Sequence, residues 1–154
     1  MKVLLILYRS LLNKKDLIKD LEDQVNLLSR VIGPDSIYAV ITSEMKDLFD
    51  KFPELVFINN EKGSFIYGLY KGLRKLRGNH VLVIDPVEKL TKEKLGKLLS
   101  AGKKNIISKG VALLKLMDLD YVIRTVEKYR NAEANIEDIL NEVYQEYGIK
   151  YEIL

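Results

Sequence analysis

The sequence predicts an α/β fold three layers deep, with a mostly parallel sheet and helices on both faces. Three observations carry this. Apolar runs of strand length recur at residues 2–8, 36–42, 55–58 and 80–84, and amphipathic segments of helical spacing separate them. The first run is nearly continuous in apolar residues, the pattern of a strand covered on both faces rather than wet on one. Strand–helix alternation implies right-handed crossovers, which place a ligand crevice at the carboxyl ends of the strands.

Each element has its own local reason. In residues 15–31, Leu17, Ile18, Leu21, Val25, Leu28 and Val31 recur at helical spacing, and Gly33-Pro34-Asp35 stops the helix. Residues 36–42 (SIYAVIT) are rich in β-branched side chains, and Ser43 is placed to cap a short helix through Lys51. Residues 55–58 read as a third strand and residues 59–63 as the loop leaving it. Residues 64–76 form a helix carrying Gly68 and Gly72 on one face. Each interior glycine costs about 1 kcal/mol relative to alanine, so the pair asks for close approach of a backbone or a ligand. Gly78-Asn79 ends that helix ahead of the strand 80–84.

Thr91 caps a helix running to about Ala101. Residues 105–108 and 110–116 read as two strands separated by only a tight turn, so they are antiparallel or lie in different parts of the sheet. Residues 119–129 and 136–147 are amphipathic helices, the second opened by Asn135 with Asp138 three residues on. Gly148 ends it, and residues 149–153 (IKYEI) alternate as an edge strand.

Composition narrows the chemistry. Residues 1–154 read as a single domain, long enough to bury its own core. With no cysteine and one histidine, the chain has no disulfide, thiolate zinc site, thiol nucleophile or histidine triad. Carboxylates, hydroxyls, lysines, arginines, backbone amides and oxygen-held hard cations remain. The 25 basic and 22 acidic residues are interspersed, so the net charge of +3 argues against a nucleic-acid partner. Lys71, Arg74, Lys75 and Arg77 read as a solvated helix face. The opening apolar run is too short to span a membrane, and a cytoplasmic location is expected.

Three segments converge on the predicted crevice. The loop after the first strand offers Tyr8, Arg9, Ser10, Lys14 and Lys15, which either hold a phosphate by charge and hydroxyl or are ordinary solvated cations. Gly63, Ser64 and Gly68 open the 64–76 helix, whose amino end is an anion site or a capped end packed on the sheet. Asp85, where an apolar run ends and Pro86 turns the chain, is either a magnesium ligand or a turn-starting aspartate. His80 begins the same strand at the opposite end of the sheet and reads as structural. The tyrosines at 121, 129, 144 and 147 read as core or interface.

The stretch from Ser64 through Gly68 and Gly72 to Leu73, then Val81 to Asp85-Pro86, then Leu90-Thr91 and a helix, resembles the molybdenum cofactor guanylyltransferase-like branch of the nucleotidyltransferases. The order of elements is similar across nearly the whole chain. The resemblance implies a Rossmann-like domain of the GT-A type and Mg²⁺-dependent transfer of a nucleotidyl group from a nucleoside triphosphate to a phosphorylated small-molecule acceptor. It implies Asp85 as the metal ligand, Tyr8, Arg9, Ser10, Gly63, Ser64 and Gly68 as nucleotide contacts, and Lys14 or Lys15, of which Lys15 is taken, as the loose counterpart of the family's catalytic lysine. The chain departs from the family at residues 5–15. Leu-Ile-Leu-Tyr-Arg-Ser-Leu-Leu-Asn-Lys-Lys stands where the family has a glycine-rich loop. Side chains then occupy the approach to successive amides. The alternative expectation is therefore a noncatalytic member of the same fold, binding a nucleotide or a protein partner, with a homodimer through residues 110–116 and the tyrosine-bearing helices.

Overall fold

The computed structural model describes residues 1–102 and 104–154. Its strands are β1 (Lys2–Ile6), β2 (Ile37–Ile41), β3 (Val56–Asn59), β4 (Val81–Ile84), β5 (Asn105–Ser108), β6 (Val111–Leu114) and β7 (Tyr151–Ile153). The helices are α1 (Leu17–Val31), α2 (Leu48–Lys51), α3 (Phe65–Lys75), α4 (Lys92–Ser100), α5 (Leu119–Tyr129) and α6 (Ile136–Tyr147). One sheet runs β3-β2-β1-β4-β6-β5-β7. β1 pairs in parallel with β2 and β4, β2 with β3, and β5 with β7, whereas β6 runs antiparallel to both β4 and β5. The fold is the predicted three-layer, mostly parallel α/β sheet. The tight turn at Gly110 makes an antiparallel pair and inserts β6 between β4 and β5.

The period of two along β1 explains its unbroken apolar run. Val3, Leu5 and Leu7 face one core with α1, α2 and α4, while Leu4 and Ile6 face a second core with α3, α5 and α6. β4 divides likewise, Leu82 and Ile84 to the first core and Val81 and Val83 to the second. Two-sided burial excludes polar residues from these positions. The central strands are thus fixed rigidly, and so are their carboxyl ends.

Several boundaries differ from expectation. β1 ends at Ile6, but Leu7 stays buried and donates its amide to the Val40 carbonyl at 2.8 Å. The loop that follows is a 3₁₀ turn, Arg9–Asn13, anchored by the buried Leu11. The short helix expected over residues 43–51 is split into a 3₁₀ turn, Ser43–Met45, and α2, and no side-chain cap forms at either. Asn135 and Asp138 form a reciprocal capping box, and Gly148 closes α6 in the left-handed region at φ 71°.

Gly68 and Gly72 owe their presence to β1. A Cβ on Gly72 would lie 2.4 Å from Leu4 Cδ1, and one on Gly68 would lie 2.8 Å from Ile6 Cγ2. Of the two reasons for the glycine pair, helix-to-strand packing accounts for both positions. The expectation that Gly68 contacts a nucleotide is corrected accordingly: its open face is filled by Ile6, Val40 and Asn60.

Candidate active site

β1 and β4 are hydrogen-bonded neighbours, so the chain leaves the sheet at adjacent points after Leu7 and Ile84. Their first exiting side chains meet. Tyr8 donates its hydroxyl proton to Asp85 Oδ1 at 2.8 Å, and the Val87 amide donates to the same oxygen at 3.1 Å. Among the described residues no hydrogen bond reaches Asp85 Oδ2. Burial raises the Asp85 carboxyl above its ordinary pKa, helped by Glu88 and opposed by the two donors and Lys14. Burial first, and then Asp85 itself, pushes the Tyr8 phenol far above its ordinary value, so Tyr8 stays protonated and keeps donating.

The turn after Asp85 is held from β1's side. Lys14 Nζ donates to the Pro86 carbonyl at 2.7 Å and pairs with Asp20 at 3.2 Å. Lys15, the expected catalytic lysine, is exposed on the next step of the turn and lines neither cleft described below. The 3₁₀ geometry of residues 9–13 directs Lys14 to the Asp85 turn and leaves Lys15 exposed beside it.

A third strand end joins them through Asn60, which is 1% exposed. Its Nδ2 donates to the carbonyls of Leu7 at 3.3 Å and Ser64 at 2.9 Å, and its Oδ1 accepts from the Gly63 amide at 3.1 Å. Asn60 thereby ties β1's exit, its own loop and the amino end of α3. Sequence reasoning passed over it as a loop residue, because no neighbour in the chain marks it as buried. Gly63 takes φ +72°, where a Cβ would strike the Arg9 guanidinium at 2.8 Å. Ser64 caps α3 by accepting the Tyr67 amide at 3.1 Å.

Two clefts flank the Tyr8–Asp85 pair. One, of about 550 Å³, is lined by Tyr8, Arg9, Ser10, Lys62, Gly63 and Ser64 among others. The other, of about 480 Å³, contains Asp85, Glu88, Ser108, Lys109 and Asn135. Phe65 lines both, with the Tyr8 ring edge-on to it at 5.6 Å. The structure therefore brings the expected nucleotide contacts Tyr8, Arg9, Ser10, Gly63 and Ser64 together in one cleft. Gly68 lies outside that cleft, and Asp85 opens on the other side. Arg9 is not idle there, since its Nε pairs with Glu44 at 3.1 Å.

Among the described residues no cluster of three or more acidic or histidine side chains could hold a metal ion. Magnesium nevertheless commonly takes one or two carboxylates and draws its remaining ligands from phosphates and water. Asp85 Oδ2, which no hydrogen bond reaches among the described residues, fits that donor set.

Solved structures resemble the chain throughout. It superposes on 4-diphosphocytidyl-2C-methyl-D-erythritol synthase from Anaerococcus prevotii with a TM-score of 0.72 at 14% identity, covering 99% of this chain and 87% of that one. A second structure of an enzyme with that name gives a TM-score of 0.67 at 14% identity with the same coverage. CTP:phosphocholine cytidylyltransferase from Streptococcus pneumoniae gives 0.63 at 13% identity, covering 99% of this chain and 89% of that one. The fold is thus the α/β nucleotidyltransferase fold. No family model and no curated protein matches the sequence. The solved structures bear cytidylyltransferase-type names, and nothing in them singles out the guanylyltransferase branch that the sequence resembles. Among the described residues no helix is long and apolar enough to cross a membrane.

Proposed function

We propose that this chain is a nucleotidyltransferase that moves a nucleotidyl group from a nucleoside triphosphate to a phosphorylated small-molecule acceptor. One observation carries the reading: a cleft bearing Arg9, Ser10 and Lys62 and a cleft bearing Asp85 abut at the exits of β1 and β4. The triphosphate lies on the Arg9 side, where charge and hydroxyl donors compensate its oxygens. The acceptor lies on the Ser108 side. An acceptor phosphate oxygen attacks the α-phosphorus, the new P–O bond forms as the α–β bridging bond breaks, and pyrophosphate leaves. Catalysis is positioning and charge compensation. Lys14 fixes the Asp85 turn through Pro86. Asp85 would hold Mg²⁺, which when bound supplies charge neutralisation at the phosphates.

The test is thermal stability with Mg²⁺ and each nucleoside triphosphate in turn, since a ligand bound only by the folded state raises the melting temperature. A rise with at least one triphosphate is expected, with its Mg²⁺-dependent part absent in Asp85→Asn. No rise with any triphosphate overturns the reading.

A second reading, a noncatalytic nucleotide-binding protein on the same fold, is favoured by one specific feature. The Arg9 amide is spent on the Gly63 carbonyl at 2.8 Å and the Leu11 amide on the Tyr8 carbonyl at 3.0 Å. These amides are withdrawn from a phosphate. Triphosphate binding without pyrophosphate release across a panel of phosphorylated alcohols decides for this second reading.

A further inference from the structure

The sheet has two edges, β3 and β7, and they are built differently. A groove of about 510 Å³ beside β3 is lined by Phe57, Ile58, Lys71, Arg74, Lys75 and Arg77. Arg74 and Lys75 have no carboxylate partner among the described residues. A second copy brought to this edge would set cations against cations, one of the ways proteins keep an edge strand from pairing.

β7 carries no such guard. Leu154 donates its amide to the Ile107 carbonyl at 2.8 Å, and Ile107 lies opposite Ile153 in the parallel ladder. Backbone groups alternate in direction along a strand, so residues 152 and 154 bond β5 while Tyr151 and Ile153 turn theirs outward. Among the described residues nothing pairs with those outward groups. A groove of about 400 Å³ lies beside this edge, lined by Lys104, Asn141, Tyr144, Lys150, Tyr151 and Ile153. Ile153 is 69% exposed. Lys150 has no ion-pair partner among the described residues, and Glu152 reaches Lys104 only at 3.9 Å.

We propose that β7 is a self-association edge, at which two copies of the chain pair residues 149–153 antiparallel about a two-fold axis at Tyr151. That register sets Lys150 of each copy opposite Glu152 of the other, and Ile149 opposite Ile153. It also brings outward backbone groups together, with Tyr151 facing Tyr151 as a hydrogen-bonded pair. Centring the pair on Lys150 or Glu152 opposes like charges, and other centres leave both charges unmatched. Parallel pairing about a two-fold axis opposes each residue to itself, which again sets like against like. The edge is thus complementary to itself in one register. Ile153 lines the cleft that contains Asp85 as well as the edge groove, so pairing would brace the strand that walls that cleft.

Sedimentation equilibrium at protein concentrations up to about 1 mM, the weak end for a specific contact, tests the pairing. The unaltered chain is expected to rise from 17.8 kDa towards twice that mass. Lys150→Glu and Glu152→Lys, both exposed substitutions, are each expected to stay monomeric alone. Mixed in equal amounts they are expected to associate, because only the mixture restores opposite charges at both positions. Ile153→Pro withholds one outward amide and leaves the β5 bonds of residues 152 and 154 in place. It is expected to stay monomeric, and its result stands should a charge variant fold poorly. An unaltered chain that stays monomeric at every concentration overturns the proposal. Association of Lys150→Glu alone or of Ile153→Pro at the strength of the unaltered chain overturns it too, as does a mixture of folded charge variants that stays monomeric.

Discussion

Asn60 donates its side-chain amide to the Leu7 carbonyl at 3.3 Å, so the last residue of β1's apolar run is pinned by a residue that follows β3. The same amide reaches Ser64, and the side-chain oxygen takes the Gly63 amide. A buried primary amide is the one side chain that can serve two carbonyls and one N–H at once. Asn60→Ala leaves those three groups without their partner, and a stability loss of about 2–3 kcal/mol is expected from urea unfolding. Asn60→Asp replaces a donor with a charged acceptor facing two carbonyl oxygens and is expected to lose more than the alanine variant. Equal unfolding midpoints for all three proteins would show that the pin carries no stability.

Gly72 presents a contest between two effects of opposite sign. In an exposed helix, alanine for glycine stabilises by about 1 kcal/mol. Here the added Cβ would meet both terminal carbons of Leu4, at 2.4 and 2.5 Å, and Leu4 is fully buried between α3 and the sheet. Overpacking of this kind costs about 1–3 kcal/mol, so packing wins and Gly72→Ala is expected to unfold at lower urea. A gain in stability would mean that α3 rides over β1 at a distance the structure does not have.

The layers of the fold were legible because burial imposes a pattern on the residues themselves. Val3 to Leu7 had to be apolar throughout once both faces of β1 were covered, and Gly68 and Gly72 announced by their cost a close approach, without deciding between a packed neighbour and a ligand. The site was legible only in outline. Asp85 stood out where an apolar run met a proline, but its partner Tyr8 lies 77 residues away and nothing local marks the pair. Asn60 read as a polar loop residue because burial of a loop side chain is a property of three converging strand ends, not of its neighbours. Lys14 and Lys15 are indistinguishable by type. Only the 3₁₀ turn of Arg9–Asn13 decides which of them reaches Pro86.

That difference between adjacent lysines is measurable. Lys14 bonds the Pro86 carbonyl and pairs with Asp20, both partly shielded from water. Lys14→Ala is expected to cost about 1 kcal/mol, whereas Lys15→Ala, an exposed substitution, should stay within about 0.5 kcal/mol of the parent. Guanidinium unfolding of the two variants side by side settles it, and the reverse order would return the turn to Lys15.

Asp85 itself should cost the fold stability at neutral pH. Burial raises its pKa above the ordinary 3.8, so the folded protein holds the carboxyl proton more tightly than the unfolded chain does. The sign follows from linkage: a raised acid favours folding fully below its unfolded pKa, and that contribution is lost as pH rises through the folded value. Above its folded pKa the carboxylate is charged and partly desolvated, and it opposes folding. Asp85→Asn cannot ionise and still offers an oxygen to Tyr8 and Val87. Its melting temperature is therefore expected to exceed that of the unaltered protein at pH 7, with the gap closing as both are acidified towards 3.8. A lower melting temperature for Asp85→Asn at pH 7 would show instead that the charge strengthens its two hydrogen bonds by more than burial costs. A higher melting temperature for Asp85→Asn would support the proposed binding role of the carboxylate.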